Sequence, residues 1–255
     1  MKGDEFMRIG NNTVFRRAGE LGFESGQVAT TTGVGIKTLL LIAVTLFSAL
    51  LTIFVIGPIG VLEAYFVIWI VTFVIMLILI FNPRAARVLA IPYAILEGMT
   101  VGAISGVFAI IYGELGLLIS GLALMITMTI FLGASVLYLT GVVKVTNTLR
   151  RIMYTILLGV LLTSLVVVIV GIFNQAVYQL FYGANSVLSL LISVLMVIIA
   201  SVYVVISLDN ANQIVENRLD KAYEWYAAFG ILINIIWLYY EILRLIVLLV
   251  GRDRK

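Results

Sequence analysis

SVLSLLISVLMVIIASVYVVISL, residues 186–208, runs for 23 residues without a charged side chain. As a helix it rises about 35 Å at 1.5 Å per residue. That exceeds the roughly 30 Å hydrocarbon core of a bilayer, which about 20 apolar residues suffice to cross. Six more stretches are long and mostly apolar, over 38–56, 63–81, 88–112, within 115–143, 152–173 and 222–251. The first closes at Gly57-Pro58, the second at Asn82-Pro83, and the third before Gly113-Glu114. A polar, aromatic loop over 174–185 precedes the sixth. Lipid offers no partners to backbone N–H and C=O groups, so spans of this kind must be helices. The expected fold is an all-α integral membrane protein, a bundle of seven transmembrane helices.

Composition agrees. Hydrophobic residues make up 63% of the chain and charged residues 11%, against roughly 25% charged in a soluble domain. Cys and His are both absent. That removes disulfides, thiolate chemistry, the commonest metal ligand and the one side chain that titrates near neutrality unperturbed. The expected division is a polar cytoplasmic tail over 1–36, a membrane domain over 37–251 and a short basic tail over 252–255. The first 36 residues do not read as a signal peptide, because the apolar run after them is too long.

Basic residues set the orientation. Alternate loops on the N-terminal side carry Lys37, then Arg84 and Arg87, then Lys144, Arg150 and Arg151, then Arg218 and Lys221, while the opposite loops carry none. The positive-inside rule places the N-terminus in the cytoplasm, and seven crossings of a cell membrane place the C-terminus outside. The basic residues Arg252, Arg254 and Lys255 run against that pattern, and a re-entrant last segment would accommodate them.

Three carboxylates interrupt the oil: Glu97, Asp209 and Glu241. A charge at mid-membrane costs at least about 2.5–3.5 kcal/mol, so such residues face a bundle interior and tend to be functional. Glu97 lies about 15 Å into its helix by rise, beside Gly98, Gly102 and Gly106, whose four-residue spacing lets a second backbone approach. It is protonated, paired with Arg84 or Arg87, or open to an aqueous cavity. Asp209, followed by Asn210, Asn212 and Gln213, is either a solvated loop entry or a group held at the mouth of a cavity by a continuing helix. Glu241 has Arg244 three residues on, an i,i+3 pair, and Asn234 two turns back on the same face. Tyr223, Trp225 and Tyr226 read as an interfacial aromatic anchor, as do Tyr178, Phe181 and Tyr182.

YAILEGMTVGAISGVF (93–108), LDNANQI (208–214) and above all EWYAAFGILINIIWLYYEILRLI (224–246) resemble the Bax inhibitor family of membrane proteins, in particular its prokaryotic branch. NNTVFRRA (11–18) and GIKTLLLI (35–42) extend the resemblance over almost the whole chain. It implies a seven-helix bundle whose last helix is central, surrounded by the other six. It also implies a pH-sensitive calcium leak, gated by acidic residues on the sixth and seventh helices and latched by a basic residue at the cytoplasmic end of the second. Asp209 matches the sixth-helix acid, and Arg84 or Arg87 the latch. For the seventh-helix position the aromatic string selects Glu241 and the terminal ILRLI selects Asn234. With a turn near Asn217, Glu241 would stand about 24 Å and Asn234 about 14 Å from the height of Asp209.

The leading expectation is a passive, pH-regulated cation leak. Calcium prefers oxygen ligands, and a chain without His or Cys offers only those. Burial and neighbouring carboxylates raise a carboxyl pKa, which lets a bundle without His respond near neutrality. On this expectation deprotonation breaks or remakes the contacts with Arg84 and opens the cytoplasmic mouth. The alternative is a regulator or scaffold that transports nothing and restrains a membrane protease or stress-response partner. Catalysis is not expected. A retinal Schiff base needs a Lys that 222–253 lacks, membrane zinc hydrolases need His clusters, and an aspartyl protease needs two facing Asp residues. Neither a cofactor nor a nucleic-acid partner is expected; the partners are the bilayer and transient cations.

Overall fold

The computed structural model describes residues 27–183 and 186–253. Most of the expected N-terminal tail, over 1–26, and the basic residues Arg254 and Lys255 lie outside the described residues. Helix α1, Thr31–Leu51, begins seven residues before the expected start at 38, capped by the Thr30 hydroxyl, which accepts from the Gly33 N–H at 3.0 Å. Before it, Ala29 N–H donates to the Leu219 carbonyl (2.8 Å) and Lys221 N–H to that of Gln27 (3.0 Å). Residues 27–36, within the stretch expected as tail, are therefore tied to the α8–α9 connection and the first turns of α1. Backbone pairing and a cap, neither visible in hydropathy, order this segment.

A π-helical turn, Thr52–Ile56, ends the first span at Gly57, whose φ of 87° suits a residue without Cβ. Pro58 then starts the short α2, Pro58–Glu63, followed by α3, Tyr65–Phe81. A 3-10 turn, Pro83–Ala85, leads to α4, Ala86–Tyr112, and Gly113 leads to α5, Glu114–Leu139. The Thr146 hydroxyl caps α6, Asn147–Phe173. The expected loop over 174–185 contains a helix, α7, Gln175–Tyr182, capped by the Asn174 side chain. The last two elements are α8, Val187–Glu216, and α9, Tyr223–Asp253.

Among the described residues six helices are long and apolar enough to cross a membrane: Thr31–Ile56, Pro83–Tyr112, Glu114–Leu139, Asn147–Phe173, Val187–Glu216 and Tyr223–Gly251. The shorter α3 is apolar throughout. Large apolar side chains such as Phe47, Phe54, Phe81 and Phe173 stand exposed on the outside, as hydrocarbon solvent permits.

Helices α1 and α4 run parallel. A Cβ on Gly98 would lie 2.7 Å from Ser48 Cβ, one on Gly102 2.8 Å from Thr52 Cβ, and one on Gly106 2.7 Å from Pro58 Cβ. Numbers rise together on both helices, so the expected small-residue face is a close-packed seam. Ser48 ties it by donating to the Ile95 carbonyl at 2.8 Å. Helix α9 packs against α8, α1, α5 and α4, while α6 lies at the periphery on α7 and α8. The last helix is thus central to four long helices, where the resemblance implied six around it.

Candidate functional site

Asp209 sits inside α8, because the helix continues to Glu216. Apolar packing carries it there: Ala211 and Ile214 are buried in one cluster with Ala227 and Ile231 of α9. The Asp209 carboxylate pairs with the Arg150 guanidinium from the first turn of α6, and the two side chains are only 16% and 12% exposed. Its Oδ1 accepts from the Tyr138 hydroxyl of α5 at 3.1 Å, and its Oδ2 from Gln213 Nε2 at 2.9 Å. Arg150 also donates to the Asn210 side chain. Three helices are therefore cross-linked through one carboxylate. Tyr138 and Asn212 line a cavity of about 260 Å³ between α1, α5, α8 and α9. A second, of about 390 Å³, lies between α1, α4, α5 and α9.

The resemblance implied Arg84 or Arg87 as the base opposite Asp209. The base that holds Asp209 is Arg150, not Arg84 or Arg87. Arg84 is half-buried in the 3-10 turn, and Arg87 faces a separate cavity beside Lys37 and Lys221. The resemblance implied a base at the end of the second helix, whereas helix packing brings the first turn of α6 to Asp209.

Glu97 lies within the bilayer span of α4, facing the hydroxyls of Tyr93 and Tyr240, the latter at 3.5 Å. It is paired with neither Arg84 nor Arg87; tyrosine hydroxyls take their place. Glu241 accepts from Trp237 Nε1 at 3.1 Å, and its Oε2 is buried with no hydrogen-bond partner among the described residues. The expected i,i+3 pair is not formed. Arg244 instead donates to the Phe181 carbonyl at 3.1 Å and lies 4.8 Å from the centre of the Tyr182 ring. Asn234 donates to the Gly230 carbonyl one turn back, at 2.8 Å.

The heights also change. Six residues, 217–222, separate α8 from α9, so Asp209 is seven residues from its helix end, Asn234 eleven and Glu241 eighteen from theirs. At 1.5 Å per residue Asn234 stands about 6 Å and Glu241 about 17 Å beyond Asp209, less than the 14 and 24 Å expected from a turn at Asn217. Asp209 and Glu241 nonetheless keep separate partners.

One acid escaped the sequence reading. Glu224, fully buried in the first turn of α9, pairs with Lys37 of α1 and accepts from Thr30 N (2.8 Å) and Thr30 Oγ1 (3.0 Å). A Cβ on Gly33 would strike its carboxylate. Tyr223, read as an interfacial anchor, is likewise buried, with Ala29 and Val34. The available signal was Lys37 and Glu224 at the ends of two apolar spans that both face the basic side.

A family model described as Bax inhibitor 1 like matches residues 10–251. No curated protein and no solved structure gives a match. With the match running through every described helix, from α1 to the last turns of α9, this chain belongs to the Bax inhibitor 1 like family and is a multi-pass membrane protein.

Proposed function

We propose that the protein is a passive cation leak, with calcium as the cation, held shut on its basic side by the ion pair of Asp209 and Arg150. One observation carries the reading: a shielded carboxylate on α8 gathers a guanidinium from α6 and a phenol from α5 beside a cavity that rests on the central helix. The two cavities lie at successive depths along α9, and their mostly apolar walls suit a dewetted, closed path. Glu97 and Glu241 add hard oxygen atoms at two further depths.

The pH sign follows from the pair. Attraction to Arg150 requires an ionised Asp209, and protonation discharges it. The pair is therefore lost as pH falls, and flux rises on the acid side. This reverses the direction that a contact with Arg84 implied.

Seven crossings fit this architecture. Helices α1 and α4 are parallel, so the chain must return between them, and α3 is the apolar segment available. Its 17 residues span about 26 Å, at the short end of membrane-crossing helices. The basic loops then share the cytoplasmic side with the N-terminus, and the C-terminus lies opposite.

The test is calcium entry into proteoliposomes across acid to neutral pH. Wild type should leak more at acid pH, and Asp209→Asn should leak at all pH values tested. Entry no faster than in empty vesicles throughout that range would remove the proposal.

A further inference from the structure

On the basic side of the bundle a cavity of about 340 Å³ is lined by Gln27, Lys37, Arg87, Asp220, Lys221 and Trp225. Four parts of the chain converge on it: the segment before α1, α1 itself, the start of α4, and the α8–α9 turn with the first residues of α9. The other two described cavities are lined mainly by apolar side chains, so this one differs in kind.

The charges in its wall are unevenly matched. Lys37 is paired with the buried Glu224 and lies 5.5 Å from the centre of the Trp225 ring. Lys221 Nζ donates to the neutral Gln27 Oε1 at 2.8 Å. Arg87 is exposed, and no ion pair joins it to another described residue. Asp220 is the one acid among the described residues of the wall, buried, with its Oδ1 accepting from Ala222 N–H at 2.8 Å. Among the described residues, two cations thus face one space against a single carboxylate already engaged by the turn. An anion between them relieves their repulsion and adds charge-assisted hydrogen bonds.

We infer that this cavity binds a phosphate group, with Arg87 and Lys221 as its cationic ligands and Trp225 as its aromatic wall. A guanidinium presents a planar fork that matches two phosphate oxygens, and an ammonium supplies a compact second charge. The location suits the chemistry. Basic pockets between helices on the cytoplasmic side receive anionic lipid headgroups, and Trp side chains favour that level of the membrane. A headgroup phosphate and free inorganic phosphate share this chemistry, and experiment separates them.

The test uses the full chain in uncharged detergent micelles, titrated with short-chain phosphatidylglycerol, short-chain phosphatidylcholine and inorganic phosphate. Wild type should bind phosphatidylglycerol saturably and more tightly than phosphatidylcholine. Arg87→Gln with Lys221→Gln should weaken that binding by about tenfold or more, the scale of losing one to two charged hydrogen bonds, whereas Arg87→Lys with Lys221→Arg should retain most of it. Competition by inorganic phosphate at the same site assigns it to the free anion, and its failure to compete assigns it to the lipid. Lys221→Gln alone, in an exposed turn, gives the same reading if the double variant does not fold. Equal binding of the two lipids, equal affinity of the Gln variants and wild type, or no saturable binding of any probe overturns the site.

Discussion

Arg150 and Asp209 lie 59 residues apart in the chain, and their ion pair joins the first turn of α6 to the last two turns of α8. Both side chains are largely shielded, at 12% and 16% exposure. The carboxylate also receives Tyr138 and Gln213, and the guanidinium reaches Asn210. Such a pair is costly to break from one side only, because the remaining charge stays poorly solvated.

Arg150→Gln should destabilise the protein by about 3 kcal/mol, the lower end for breaking a buried pair. It should also raise calcium entry at neutral pH. The charge exchange Asp209→Arg with Arg150→Asp should recover part of both losses. Proteoliposome flux and thermal unfolding in detergent read the two effects, and an Arg150→Gln protein that leaks and unfolds like wild type would exclude the pair as a latch.

Asp209 and Glu241 should behave as independent groups. About 17 Å of helix rise separates them, and they share no hydrogen-bond partner among the described residues. Stability losses from Asp209→Asn and Glu241→Gln should therefore add within about 0.5 kcal/mol. A double-mutant cycle on unfolding checks this; a coupling of about 1 kcal/mol or more would restore a two-carboxylate gate.

Glu224 should matter more to stability than to flux. Glu224→Ala leaves Lys37 and two Thr30 donors without their acceptor, at a cost of about 3–5 kcal/mol. Gly33→Ala should be harmful too, since its methyl group would occupy the space of that carboxylate. The thermal midpoint is the measurement, and a midpoint unchanged by Glu224→Ala would contradict the clamp.

The helix seam gives a paired test. Gly102→Val forces a side chain into the Ala49 backbone of α1 and the Thr52 side chain just after it and should cost about 1–3 kcal/mol or more by overpacking. Gly121→Ala meets no atom within 4 Å and should change stability by less than about 0.5 kcal/mol, as substitutions away from packed features do. Equal effects of the two would argue against close packing of α1 on α4.

The span positions and the seam at Gly98, Gly102 and Gly106 were legible in the sequence, because hydropathy and four-residue spacing are local patterns. Helix boundaries were legible where Gly or Pro marks them, as at Gly57-Pro58 and Gly113. The start of α1 at Thr31 and the α7 helix within an expected loop were not, and the continuation of α8 past Asp209 is one of two readings the sequence allows. Polar residues form helix in those places because caps and neighbouring helices support them. Within the candidate site, sequence singled out Asp209, Glu97 and Glu241 as chemically unusual, whereas helix packing decided that Asp209 meets Arg150, Glu97 the Tyr240 hydroxyl and Glu241 the Trp237 indole.

Sequence alone determined that this protein lives in a bilayer, roughly where its helices run and which acids interrupt them, because matching a hydrocarbon solvent is a property of each segment by itself. Tertiary structure decided that Asp209 meets Arg150, that Glu97 meets Tyr240 across 143 residues, and that Lys37 meets Glu224 across 187. Those pairings depend on the register and rotation of helices packed side by side. No stretch of chain carries that information until neighbouring helices exclude lipid and leave each buried charge only the polar groups within its reach.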